Sequence, residues 1–127
     1  MRRSRLDNPS ALEGKLRKLK QDTGIESYLT GFSGGIRYAP VIRYNKVHVY
    51  MYSEDIQEAV RYLEIKEVDS GANLVIFPLE NDSYIKDCRV IAGDMVVSPL
   101  QVCLDSLQLK GRGEELAEAV LKKEIMG

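Results

Sequence analysis

The chain holds one histidine, two cysteines and 19 acidic residues as material for catalysis. Histidine moves protons near neutral pH because its ordinary pKa lies there. His48 stands in the alternating run Val47 to Tyr52, among Tyr50 and Tyr52, and reads as a surface position on a strand rather than a general base. Cys88 and Cys103 lack a nearby histidine or a glycine elbow, so neither reads as a nucleophile. Two cysteines are also too few for a disulfide framework, and with one histidine they form no zinc site of recognisable spacing. No cofactor or metal is expected.

Metal-dependent nucleases and nucleotidyltransferases need two or more carboxylates converging on one divalent cation. Glu64, Lys66 and Asp69 have an acid-x-lysine spacing beside a strand and resemble, in outline, a restriction-endonuclease-like site. Ordinary charge at a helix–strand junction is the simpler reading. Glu80, Asp82 and Asp87 share a polar loop, where carboxylates are usually solvated. Nucleotidyltransferases pair a glycine-serine turn with an Asp-x-Asp motif; here Ser33 is followed by Gly34 and Gly35, and no acidic pair appears. The Gly pair itself matches neither phosphate-loop spacing and reads as a plain turn. The expectation is therefore a protein that is not an enzyme, with a nuclease or degenerate nuclease domain as the alternative.

The elements that must carry these residues are legible from periodicity. Asn8-Pro9-Ser10 starts a helix striped by Leu12, Leu16 and Leu19. Val41 to Tyr44 and Val47 to Tyr52 read as a hairpin around Asn45-Lys46. Ser53 caps a helix with Ile56, Ala59, Val60 and Leu63 inward, and Glu54 and Asp55 at the positive end of its dipole. Ile65 to Val68 and Leu74 to Phe77 read as a second hairpin, and Arg89 to Ile91 with Met95 to Val97 as a third. Ser98-Pro99-Leu100-Gln101 starts a helix whose buried face is expected at Leu100, Cys103, Leu104 and Leu107. Lys110-Gly111-Arg112-Gly113 breaks it, and a last helix runs inward through Leu116, Ala119 and Val120. The sum is an α+β fold, a mixed or antiparallel sheet of about five strands covered by helices, with a C-terminal helical hairpin.

The 127 residues fit one domain, and 44% hydrophobic with 29% charged residues is the composition of a globular chain. Net charge is -1 overall, yet residues 1–20 carry +5. Residues 1–8 read as a basic arm and residues 9–127 as a single domain. Arg2, Arg3, Arg5, Lys15, Arg17 and Lys18 are the candidates for nucleic-acid contact, which makes a nucleic-acid-binding accessory domain a further alternative. No apolar run approaches the roughly 20 residues that span a bilayer, and no signal peptide follows the basic start, so no membrane is expected and the cytoplasm is the default location.

The run Val97-Ser98-Pro99-Leu100-Gln101-Val102-Cys103-Leu104-Asp105-Ser106-Leu107, followed by Gly111-Arg112-Gly113-Glu114-Glu115-Leu116-Ala117-Glu118, resembles the C-terminal signature of AbiEi-type antitoxins of type IV toxin–antitoxin systems. Asp7-Asn8-Pro9 and Leu29-Thr30-Gly31-Phe32-Ser33-Gly34-Gly35 are consistent with it. The resemblance implies a transcriptional regulator, associated with phage resistance, that represses its own operon and counteracts a toxin of nucleotidyltransferase type. It implies as partners the cognate toxin or its shared target. DNA is expected to be bound through a winged helix-turn-helix domain, which does not precede Asp7 here. Ser98, Pro99, Gln101, Gly111 and Gly113 are also explained as helix starts and turns. Arg112 and Asp105, with Gln101, remain as candidate partner-binding residues, Arg112 also as a fastener of the last two helices, to Asp105 among others.

Overall fold

A computed structural model describes residues 8–64 and 73–126, together with the backbone of residues 2–4. Six strands form one mixed sheet in the order β1-β4-β3-β2-β6-β5, with β1 Arg2–Ser4, β2 Tyr28–Thr30, β3 Val47–Tyr52, β4 Leu74–Leu79, β5 Arg89–Ile91 and β6 Asp94–Val96. The helices are α1 Pro9–Thr23, α2 Gly31–Tyr38, α3 Ser53–Leu63, α4 Pro99–Ser106 and α5 Gly113–Val120, which a π-helical turn, Leu121–Met126, extends. The α+β expectation holds: five strands from β4 to β5 form the body of the sheet, and α4 packs on α5 as the C-terminal hairpin. Residues of the expected basic arm enter the sheet, since β1 pairs antiparallel with β4. Arg5, Lys66, Asp69 and the strand expected over residues 65–68 lie outside the described residues.

Local chemistry sets several boundaries. Asn8 Oδ1 accepts from Ala11 N–H at 2.8 Å, and Gly24 ends α1 in the left-handed region at φ 80°. Ser98 caps α4 with Pro99 at its first position, and its Oγ accepts from Gln101 N–H. β5 and β6 pair antiparallel across Ala92-Gly93. Three expectations are corrected. Val41 to Tyr44 forms no strand; β3 instead pairs antiparallel with β2 and in parallel with β4. The Gly34-Gly35 pair lies inside α2, where close packing requires glycine: a Cβ at Gly34 would meet the Leu29 carbonyl at 2.8 Å and one at Gly35 the Leu116 side chain at 2.4 Å. On α4 the buried residues are Pro99, Val102, Cys103 and Ser106, while Leu100, Leu104 and Leu107 face solvent.

The core gathers Leu12, Leu16 and Leu19 of α1, Val47, Val49 and Met51 of β3, Ala59 of α3, and Leu116 and Val120 of α5. Each fully buried aliphatic side chain of this kind is worth about 1.5–3 kcal/mol relative to exposure. An ionic cluster ties α1, α2 and the β6 end together. Arg37 bridges Glu13 at 2.9 Å and Asp94 at 3.3 Å, Tyr44 donates to Glu13 at 2.7 Å, and Arg17 grips Asp94 through Nε at 2.8 Å and Nη2 at 2.9 Å. Among the described residues no helix is long and apolar enough to cross a membrane.

Candidate functional site

A cleft of about 450 Å³ opens where β3 and β4 run side by side beneath α2 and the end of α4. Parallel register places His48 beside Val75 and Tyr50 beside Phe77, and the twofold period of a strand turns all four to one face. Phe32 from α2 closes one side; Asp105 of α4 and the following Gln108, Leu109 and Lys110 close the other, with Lys46 at the start of β3.

The turn into α2 fixes this wall. Gly31 has φ +56°, and a Cβ there would approach His48 Cγ and Leu109 Cδ1 to 3.0 Å, so glycine is needed for both conformation and space. Ser33 Oγ accepts from His48 N–H at 3.0 Å and turns its own proton to the carbonyls of Thr30 and His48, at 3.0 and 2.9 Å. The glycine-serine turn is thereby held directly against the alternate pair His48-x-Tyr50.

His48 is 3% exposed, not a surface residue as its alternating strand suggested, because β3 is covered on both faces. Its ring meets Phe32 edge-on at 5.4 Å and stacks near Phe77 at 6.2 Å. Nδ1 is buried without a hydrogen-bond partner. Burial, aided by the Lys46 charge, pushes the imidazole pKa down to about 4, so the ring is neutral near pH 7. Tyr50 lies 5.6 Å from Phe77 and stacks on Tyr84 at 5.5 Å. Its hydroxyl donates to Asp105 Oδ2 at 2.7 Å, and burial together with that bond raises the phenol pKa.

Asp105 is the carboxylate of the cleft. Thr30 Oγ1 donates to its Oδ2 at 2.6 Å, and Gln101 Nε2 to its Oδ1 at 2.9 Å. Of the expected partner-binding residues, the fold thus joins Gln101 and Asp105 but sends Arg112 elsewhere. Arg112 is exposed and forks onto Glu115 with two 2.6 Å bonds, so it does not fasten to Asp105. Among the basic candidates, Arg17 is committed to Asp94, and Lys15 and Lys18 lie on the exposed side of α1. Glu64, at φ 54° past the end of α3, is described without Lys66 and Asp69. Sequence reasoning missed the cleft because it looked for acids after Ser33. The available signal was the glycine-serine turn itself, Gly31 to Ser33, followed by a strand that carries His48 and Tyr50.

A second hollow of about 250 Å³ lies between α1 and the β5–β6 turn. Its charges are satisfied internally by the Arg17–Asp94 and Lys20–Glu26 pairs and by Glu13 on Arg37.

No protein-family profile and no curated protein matches the chain. Two solved structures share its fold. One is a solution structure of the antibiotic-resistance factor ANT(2'')-Ia, with TM-score 0.65, 13% identity, and coverage of 88% of this chain and 82% of that one. The other is a crystal structure of ANT(2'')-Ia with adenylyl-2''-tobramycin, with TM-score 0.63, 14% identity, and coverage of 88% and 87%. The chain thus shares its fold with an enzyme, an aminoglycoside nucleotidyltransferase, and this corrects the expectation that the chain is not an enzyme. That expectation had set the nucleotidyltransferase class aside for want of an acidic pair.

Such a fold implies a divalent cation held by converging carboxylates, and the donor set at this cleft does not fit one. The sheet offers an uncharged imidazole, a phenol committed to Asp105, a valine and a phenylalanine. Asp105 already accepts three hydrogen bonds. Among the described residues no group of three His, Cys, Asp or Glu could hold a metal ion.

Proposed function

We propose that the chain is a regulatory nucleotidyltransferase-fold domain of a type IV toxin–antitoxin system, counteracting a toxin of nucleotidyltransferase type and assisting control of its own operon. The observation that carries the reading is the cleft beside Ser33, on a fold shared with a nucleotidyltransferase and walled by rings and the Asp105 carboxylate instead of converging acids. A domain of this kind counters a toxin of related architecture by taking up the same ligand, the shared-target mode that the sequence resemblance allows. The Val97-to-Leu107 signature supports it physically, since Asp105 of that segment lines the cleft and Gln101 donates a hydrogen bond to it.

The test is co-expression with the product of the adjacent gene, scored as growth. Rescue by this chain, lost on mutation of cleft residues, is the expected result; unchanged toxicity with the soluble wild-type chain present refutes the reading. The fold favours one second reading, an activity of this chain on nucleotides that uses Asp105 as its carboxylate. Transfer of label from a nucleoside triphosphate to an acceptor, abolished in D105N, would establish it in place of the first.

A further inference from the structure

The cleft has three features that together specify a ligand. Its floor and sides are unsaturated rings, Phe32, His48, Tyr50 and Phe77, with Val75 and Leu109 adding apolar surface. Such a surface takes the face of a flat heteroaromatic group, because every base has a π-face that stacks without regard to sequence. Its volume of about 450 Å³ is that of a small-molecule site.

The rim is cationic. Lys46 and Lys110 line both this cleft and an adjoining groove of about 270 Å³, which continues past Arg43, Asn45 and Gly111 to Arg112. Lys46, Lys110 and Arg43 are exposed at the mouth. A ring-walled cavity opening onto a lysine-lined groove matches a base with phosphate attached.

The third feature is His48. A buried polar atom without a partner costs roughly 1–3 kcal/mol, and phenylalanine would fill the same position with no such orphan. The imidazole lines the cleft and adds a polar group to a hydrophobic wall, although Nδ1 itself lies beneath the surface.

We propose that this cleft binds a nucleoside phosphate without a divalent cation, the base lying against Phe77 and Tyr50 beside His48 and the phosphate reaching Lys46 and Lys110. The misfit of the cleft to a metal ion is then part of its design: the two lysines provide the positive charge that a cation bridging carboxylates to phosphate would otherwise bring. The ligand is a free nucleotide or the end of a nucleic-acid strand, which share this chemistry. The inference deepens the reading of the cleft given above.

The experiment is calorimetric titration of the full chain with each of the four ribonucleoside monophosphates and with a short 5'-phosphorylated single-stranded RNA, in excess EDTA and again in excess magnesium. Binding of either probe that is equal within twofold in the two buffers is expected, as is weakening of about tenfold or more in F77L from lost stacking. The K46A/K110A double variant is expected to bind more weakly and to lose most of the salt dependence. Preference for the oligonucleotide identifies a strand end as the ligand, and equal affinity identifies the nucleotide. Binding that requires magnesium, or no binding of either probe, overturns the proposal, as does full affinity in both variants. Chemical-shift changes confined to Phe32, His48 and Tyr50 on titration locate the site even if F77L folds poorly. Failed growth rescue with intact metal-independent binding removes the antitoxin reading alone. Rescue without binding removes this inference alone.

Discussion

Replacing His48 with phenylalanine separates what the residue costs the fold from what it gives the site. The ring is 3% exposed, its Nδ1 is unpartnered, and its pKa falls from 6.5 to about 4 on folding. In the unfolded chain the imidazole takes a proton as pH drops through 6.5; in the folded chain it does so near pH 4. The unfolded state binds more protons across that window, so stability present above pH 6.5 is lost as pH falls toward 4. At about 1.4 kcal/mol for each pH step between those two values, the loss approaches 3 kcal/mol at the acid end. In H48F that slope is absent. At neutral pH the variant also sheds the unsatisfied nitrogen, worth roughly 1–3 kcal/mol, against a repacking cost of about 1 kcal/mol for the larger ring beside Gly31. Urea unfolding followed by circular dichroism at pH 7 and at several values down to 4 measures both effects, with wild type and variant compared pH by pH so that the carboxylates common to both cancel. H48F is expected to equal or exceed wild type at pH 7 and to gain on it steadily in acid. Parallel stability curves for the two proteins between pH 6.5 and 4 would refute the burial of a neutral imidazole at this position.

Further outcomes follow from the packing. R37M strands the buried Glu13 carboxylate without its guanidinium and should cost about 3–5 kcal/mol in urea unfolding, as removal of one partner of a buried pair does. The Asp94 carboxyl is held below its ordinary pKa of 3.8 by hydrogen bonds from Arg17, so its stabilisation persists above that value and is lost only as pH falls below it; an R17A variant should therefore lose its disadvantage in strong acid. G113A places a Cβ 2.1 Å from the Ser106 carbonyl and should destabilise by more than the roughly 1–3 kcal/mol of ordinary overpacking, measurable as a lowered Tm. L104K, on the exposed side of α4, should change stability by no more than about 0.5 kcal/mol; a loss of several times that would mean the outer leucines are core.

Local signals carried over well and nonlocal ones did not. The caps at Asn8 and Ser98 and the Ala92-Gly93 hairpin are set by residues within a few positions of one another, and the fold realises all three. The parallel pairings of β3 with β4 and of β2 with β6 join segments separated by whole helices, and no local pattern encodes them. On α4 two faces compete for burial, the leucine stripe Leu100-Leu104-Leu107 and the smaller side chains Val102, Cys103 and Ser106. The smaller side chains win because α2 and α5 approach too closely for leucines, as the contacts of Gly34 with Val102 and of Gly113 with Ser106 indicate. The same closeness overrides the poor helix propensity of glycine in α2. In the cleft, Asp105 stands out within the C-terminal signature, but its true partners Thr30 and Tyr50 lie 75 and 55 residues away. The burial of His48 was hidden because alternation reports which residues share a face, not whether that face is covered.

β1 pairs only through its backbone register with Leu74, Val75 and Ile76, yet it caps what would otherwise be a bare row of amide and carbonyl groups along β4. Those three residues form an unbroken aliphatic run beside that row. Clipping the first few residues would uncover an aliphatic ledge ready to zip onto a neighbouring molecule, so the short leading strand works as a self-supplied guard against aggregation.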